Sequence, residues 1–205
     1  MIDRDGVDGL SMRKLAKELG TGAASLYWHV ANKDELLDLV FERVIGEIEM
    51  PEPEPEHWTE QVKEVARETR GAIARHRDIV RISQGRFPVG PNALRNTEGL
   101  LAILRGGGLS DRLAVTTTHL LFIIINGFAF EEEADEAHAG AGLRDPMEMG
   151  RVVSEYFASL PAGRFPNLVA TADELAAADM NERFELLLDL FVDGLAARVE
   201  AMGHG

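Results

Sequence analysis

Residues 19–30 read LGTGAASLYWHV, a Gly-punctuated segment that sets Tyr27, Trp28 and His29 side by side. Neighbouring side chains on a helix project about 100° apart, so these three cannot all face one core. At least one large ring is turned outward. An outward phenol or imidazole can hydrogen-bond phosphate oxygens, and an indole can pack on sugars and base edges. The local charge suits the same polyanion: between residues 11 and 33, Arg13, Lys14, Lys17 and Lys33 stand against Glu18 alone. The whole chain carries −14, so this basic window sits on a strongly acidic body. Such an asymmetry confines any nucleic-acid footprint to one place. The plainer reading is that Tyr27 and Trp28 glue a small helical subdomain together, with His29 incidental.

The elements that must position these residues are helical. Strand signals are nearly absent, and apolar residues recur at helical spacing throughout, so the fold class is all-α. Ser11 can cap a helix whose Leu15, Ala16 and Leu19 form one stripe, stopped by Gly20. A short second helix covers 23–29 with Leu26 and Val30 inward. Asn32 and Glu35 form a capping box that opens a third helix through Leu36, Leu39, Val40, Arg43 and Val44. Two short helices joined across Gly20 and Gly22 make a helix-turn-helix, whose second helix enters the major groove. The sequence MPEPEPE at 50–56 is a stiff spacer. Domains are therefore expected at 1–49, the DNA-binding head, and 57–205, a helical bundle.

In that bundle, amphipathic segments are expected at 57–75, 76–83, 91–105, 110–136, 146–159 and 173–201. The last carries Phe184, Leu187, Leu188, Phe191, Leu195 and Val199, a stripe suited to a bundle seam. The run Leu120–Phe130 is apolar all round. It is too short for a bilayer and contains Asn126 and Gly127, so a subunit interface is the economical reading, with no membrane partner.

The 205 residues are 45% hydrophobic, enough for a real core. Cysteine is absent, which removes disulfides, thiolate metal sites and Cys nucleophiles and fits a reducing compartment. No secretory leader opens the chain, so the expected location is cytoplasmic. No nucleophile elbow appears, and RGGGLS at 105–110 lacks the preceding strand and the lysine of a phosphate loop. The expectation is not an enzyme. Histidines 29, 57, 76, 119, 138 and 204 never fall three or four apart, so no helix-face metal pair is visible and no cofactor is expected.

The stretch DGLSMRKLAKELGTGAASLYWHVANKDELLDLV (8–40) resembles the DNA-binding head of the tetracycline-repressor (TetR) family. The resemblance continues through RHRD (75–78), GRFP (85–88), LLAILRGGGLS (100–110) and NGFAFEEE (126–133), and points to the branch containing the tetracycline repressors themselves. It implies a homodimeric repressor on a near-palindromic double-stranded DNA operator, released by a small-molecule effector. By position, Arg13 would reach a base or phosphate, Ala23, Ala24 and Ser25 would face base edges, and Tyr27, Trp28, His29 and Lys33 would hold the backbone. Ala23 and Ala24 offer no hydrogen bond, so apolar contact with thymine methyls is expected there. Met1 falls about where the family's first helix ends, so only that helix's tail is expected. An alternative follows: a dimeric helical ligand-binding protein whose head does not grip DNA.

The resemblance also bears on the effector. Tetracycline repressors hold a drug–magnesium complex with body histidines, whereas the matching positions here are Ser83 and Ile123. Magnesium–tetracycline is therefore not the expected effector, and no metal is expected. A largely apolar ligand is expected among Phe87, Leu100, Leu104, Leu120, Ile123 and Ile124, with Ser83, Arg86 or Glu131 near a polar end. Each of these apolar residues also reads as plain bundle core.

Overall fold

A computed structural model of the chain describes all residues except 85, 87, 88, 141–145, 178, 204 and 205; the side chains of 23, 136–140, 146, 147, 175–177 and 203 are also outside the described set. The first 45 residues form α1 (Ile2–Gly9), α2 (Met12–Glu18), α3 (Ala23–Tyr27) and α4 (Lys33–Ile45). Short polar side chains set the starts. The Ser11 hydroxyl accepts from the Lys14 amide (3.3 Å), and the Asn32 side chain accepts from the Glu35 amide (2.9 Å). Glu35 reaches back to the Ala31 amide (2.6 Å), completing a capping box displaced by one residue. Gly20, at φ 65°, turns the chain after α2. Helix α1 bends at Gly6 (φ 72°, ψ 171°), a conformation only glycine adopts readily.

The head closes around Met12, Ala16, Leu26 and Val30, with Leu15 and Leu36 packed on them. Two expectations shift. Leu19 lies past the end of α2 and is exposed, so it leaves the stripe. On α4, Leu39 is exposed, and the buried face is Leu37, Phe41, Val44 and Ile45. That face is turned because α4 packs against body helices as well as following the head.

The connector runs extended to a 3-10 turn at Pro55–His57. It is pinned by buried Gln61, whose side chain accepts from the Glu54 amide (2.9 Å) and donates to the Glu52 carbonyl (2.6 Å). The body continues with α5 (Trp58–Ala74), α6 (Ile79–Ser83), α7 (Pro91–Gly106), α8 (Asp111–Gly140), α9 (Pro146–Ala158), α10 (Pro166–Ala170), α11 (Ala172–Ala177) and α12 (Met180–Gly203). The expected single helix over 173–201 is two. Asp179 accepts from the Asn181 amide (2.8 Å), a local bond that starts α12 afresh. Helix α10 was not foreseen; Pro166 opens it.

The chain divides into two compact units, Met1–Phe130 with Phe191–Gly205, and Glu131–Leu190. In the first, Val62, Ile73, Ile79, Ile103 and Leu104 are almost fully buried. In the second, α9 packs on α11, where Ser154 donates to Asp173 (2.7 Å). Along α8, Ala114, Thr117, Leu121 and Ile125 turn inward, while Val115, Leu120, Ile123 and Phe130 are exposed. Over Asp111–Asp135 this helix is long and apolar enough to cross a bilayer by length and composition alone, a longer span than the run 120–130 suggests.

Candidate nucleic-acid interface and ligand cavity

Leu26 and Val30 anchor α3 and the turn after it in the head core, and that choice fixes what faces outward. Tyr27 is 52% exposed and Trp28 89%. Ala24, Ser25 and His29 are exposed beside them, as is Arg13 on α2; the Ala23 side chain lies outside the described residues. An indole this bare gains nothing from water, and the head core does not use it. Of the residues expected to meet DNA, Lys33 is placed differently. It is half-buried, and its ammonium donates to the Val7 carbonyl (2.8 Å), stapling the start of α4 to the C-terminal end of α1.

Helix α1 is held to the body by the turn between α5 and α6. Asp78 is buried at φ 63°, and its carboxylate accepts from the Val7 amide (2.6 Å). Arg81 pairs with both Asp8 (3.1 Å) and Asp78 (3.2 Å). His76 stands between Asp3 (3.4 Å) and Glu47 (3.1 Å), and Arg75 adds an ion pair to Glu47 (3.7 Å). The hydrogen bond from His76 holds the Glu47 carboxyl below the ordinary glutamate range, against the opposing cost of desolvation. Arg86 donates to the Asp34 carbonyl (3.0 Å) and pairs with Asp38, so its charge is committed to α4 and not to a ligand.

Between α4, α5, α7 and α8 lies an apolar cavity, part of it open to solvent. Its apolar walls include Phe41, Ile45 and Ile48, then Val65 and Ile73, then Leu100, and finally Leu121, Phe122 and Ile125. Polar lining comes from Thr69, Asn96, Thr97 and Thr118. The Thr69 and Thr118 hydroxyls donate to the Val65 (2.7 Å) and Ala114 (3.0 Å) carbonyls, and the Asn96 amide donates to the Ile45 carbonyl (2.8 Å). Every described lining residue is uncharged.

Of the residues expected to line a ligand site, the cavity takes Leu100. Leu104 is sealed in the core, and Ile124 is half-buried off the cavity wall. Leu120 and Ile123 face out because α8 presents Thr118, Leu121, Phe122 and Ile125 instead, a rotation of about one residue. The Ser83 hydroxyl meets the Val80 carbonyl (2.8 Å) and the Asn126 amide oxygen (2.7 Å). Glu131 is exposed, and Phe87 lies outside the described residues. Sequence reasoning missed the α4 and α5 walls: Phe41, Ile45, Val65 and Ile73 carry the same helical spacing as any core stripe. No group of three or more His, Asp or Glu poised for a metal occurs among the described residues; His138 and His204 lie outside them.

Comparison with known proteins bears on both regions. Residues 1–40 match the family model described as bacterial regulatory proteins, tetR family, and residues 50–199 match that of the tetracyclin repressor-like C-terminal domain. The chain is 33% identical to the HTH-type transcriptional repressor DrrR1 of Streptomyces coeruleorubidus over 97% of its own length and 74% of that protein. It is 32% identical to the class A tetracycline repressor of Escherichia coli, over 97% and 86% of the two chains. Among solved structures it is similar to ActR of Streptomyces coelicolor without ligand, at 44% identity and TM-score 0.88, covering 98% of this chain and 91% of that one. ActR in complex with actinorhodin matches at 44% identity and TM-score 0.87, over 97% and 92%.

Proposed function

The chain belongs to the TetR family of bacterial regulatory proteins, and from that premise we propose that it is a cytoplasmic, ligand-responsive transcriptional repressor. It acts as a homodimer, each head (1–49) taking one half of a palindromic operator and each body (57–205) holding an effector and the partner. The observation that carries this reading is Trp28, 89% exposed beside Tyr27 at the C-terminal end of α3, with Leu26 and Val30 on either side anchored in the head core. Arg13, Ala23, Ala24 and Ser25 read bases, and Tyr27, Trp28 and His29 hold the sugar–phosphate walls. Lys33 serves the backbone indirectly, by fixing α4 to α1.

The effector is a small, largely apolar molecule that is not magnesium–tetracycline. The uncharged, largely apolar lining of the cavity supports that choice, as does Ser83, whose hydroxyl is engaged with Asn126. ActR, which is similar to this chain, binds actinorhodin in one of its crystal structures, and that supports a small-molecule effector here. The relatives are regulators, and no enzymatic role is proposed.

The test is a gel shift against the DNA flanking the chain's own reading frame, across a salt series and with actinorhodin among the added ligands. Affinity is expected to fall steeply with salt, since phosphate contacts release counterions. A folded dimer that ignores every duplex overturns the reading and leaves a helical ligand-binding protein.

A further inference from the structure

The C-terminal half of α4 is tied to the first turn of α7 by a row of polar contacts centred on Glu42. Its carboxylate accepts from the Asn92 amide and from the Ala93 amide (3.3 Å), while its carbonyl accepts from the Asn92 side chain (3.1 Å). Asn96 and Arg95 add bonds to the Ile45 (2.8 Å) and Ile48 (3.3 Å) carbonyls. Free amides at a helix start favour a negative partner, so the carboxylate cap is the charge-assisted member of this set. The chain makes room for it: a Cβ at Gly90 would lie 2.3 Å from a Glu42 carboxylate oxygen. The cavity opens between the same helices, with Phe41 and Ile45 on one wall and Ala93 and Leu100 on the other. Glu42 itself does not line it.

We propose that Glu42 is the positioning residue that couples occupancy of the cavity to the head, because its cap makes α4 follow α7. The inference rests on the reading that the cavity takes the effector. Helix α4 is a rod of about 20 Å. Its far end is stapled to α1 by Lys33 and joined to α3 through the Asn32–Glu35 capping turn. An occupant that displaces α7 therefore displaces α4, and α3 moves with it. Without the cap, α7 keeps only the bonds from Asn92, Asn96 and Arg95 to carbonyls of this segment, and α4 follows it less.

A built-in occupant tests this without an identified effector. Ala66, buried on the α5 wall of the cavity, is replaced by Phe, and hydrogen exchange over residues 23–45 is measured with Glu42, Glu42→Gln or Glu42→Ala. With Glu42 present, Ala66→Phe is expected to change exchange there by about tenfold, a typical size for coupled sites. With Ala at 42 the same filler is expected to change it by less than about twofold, and Gln, which keeps an acceptor, restores part of the response. A second filler, Thr69→Leu, stands in if Ala66→Phe does not melt cooperatively. An equal response in all three backgrounds, or none in any folded filler variant, overturns the proposal. Since exchange needs no DNA, failure to bind an operator would sink the repressor reading separately. Operator binding with a filler penalty indifferent to residue 42 would sink the coupling alone.

Discussion

On the proposed reading, Tyr27, Trp28 and Arg13 would divide the contact with DNA by chemistry. A phosphate contact is blind to sequence, whereas a guanidinium over a guanine edge is not. Tyr27→Ala is therefore expected to weaken binding to all operator variants alike and, since the phenol is neutral, to leave the salt slope unchanged. Arg13→Ala is expected to cost about 1–3 kcal/mol and to relax base preference at one position. Titrations against a panel of single-base operator variants separate the two, and identical profiles from both mutants would refute the division. Trp28 was legible in the sequence because three adjacent rings cannot share one helix face. Lys33 was not: its partner is a carbonyl 26 residues earlier, and no local pattern announces that.

At the scale of elements, the head is a set of short helices closed around a small core, with caps and the α1 attachment adding to it. Gly6 sits at φ 72°, and a Cβ there would come 2.8 Å from the Asp78 carboxylate. Gly6→Ala is expected to cost about 1–3 kcal/mol, read as a lowered denaturation midpoint, and to loosen α1 selectively. The His76–Glu47 contact adds an acid sensitivity. Because the folded Glu47 carboxyl ionises more readily than in the unfolded chain, its contribution is full above the ordinary glutamate range and is lost as pH falls below it. Glu47→Gln is expected to flatten that part of the acid stability curve; an unchanged curve would place the sensitivity elsewhere. The caps at Ser11 and Asn32 were readable, since each is a local bond between near neighbours. The α11–α12 break was not, because no glycine or proline marks it and one Asp179 bond decides.

For the whole molecule, the exposed apolar side chains of α8 set the expectation of a dimer. Leu120→Asp is expected to shift the protein to monomer in size-exclusion chromatography, and an unchanged dimer would move the interface off this face. The all-helical architecture was legible because its apolar spacing is sustained throughout. The cavity was not, since a wall residue such as Ile45 or Val65 and a core residue such as Leu104 obey the same periodicity. Only packing between helices distant in sequence leaves one lined and the other filled.

The chain holds two tryptophans, Trp28 at 89% exposure and Trp58 at 9%. Their light emission should separate accordingly, a red-shifted component open to iodide quenching and a blue-shifted one shielded from it. A duplex laid over the head would screen the first and leave the second untouched. The protein thus carries its own fluorophore for watching DNA arrive and depart, with an internal reference that needs no dye.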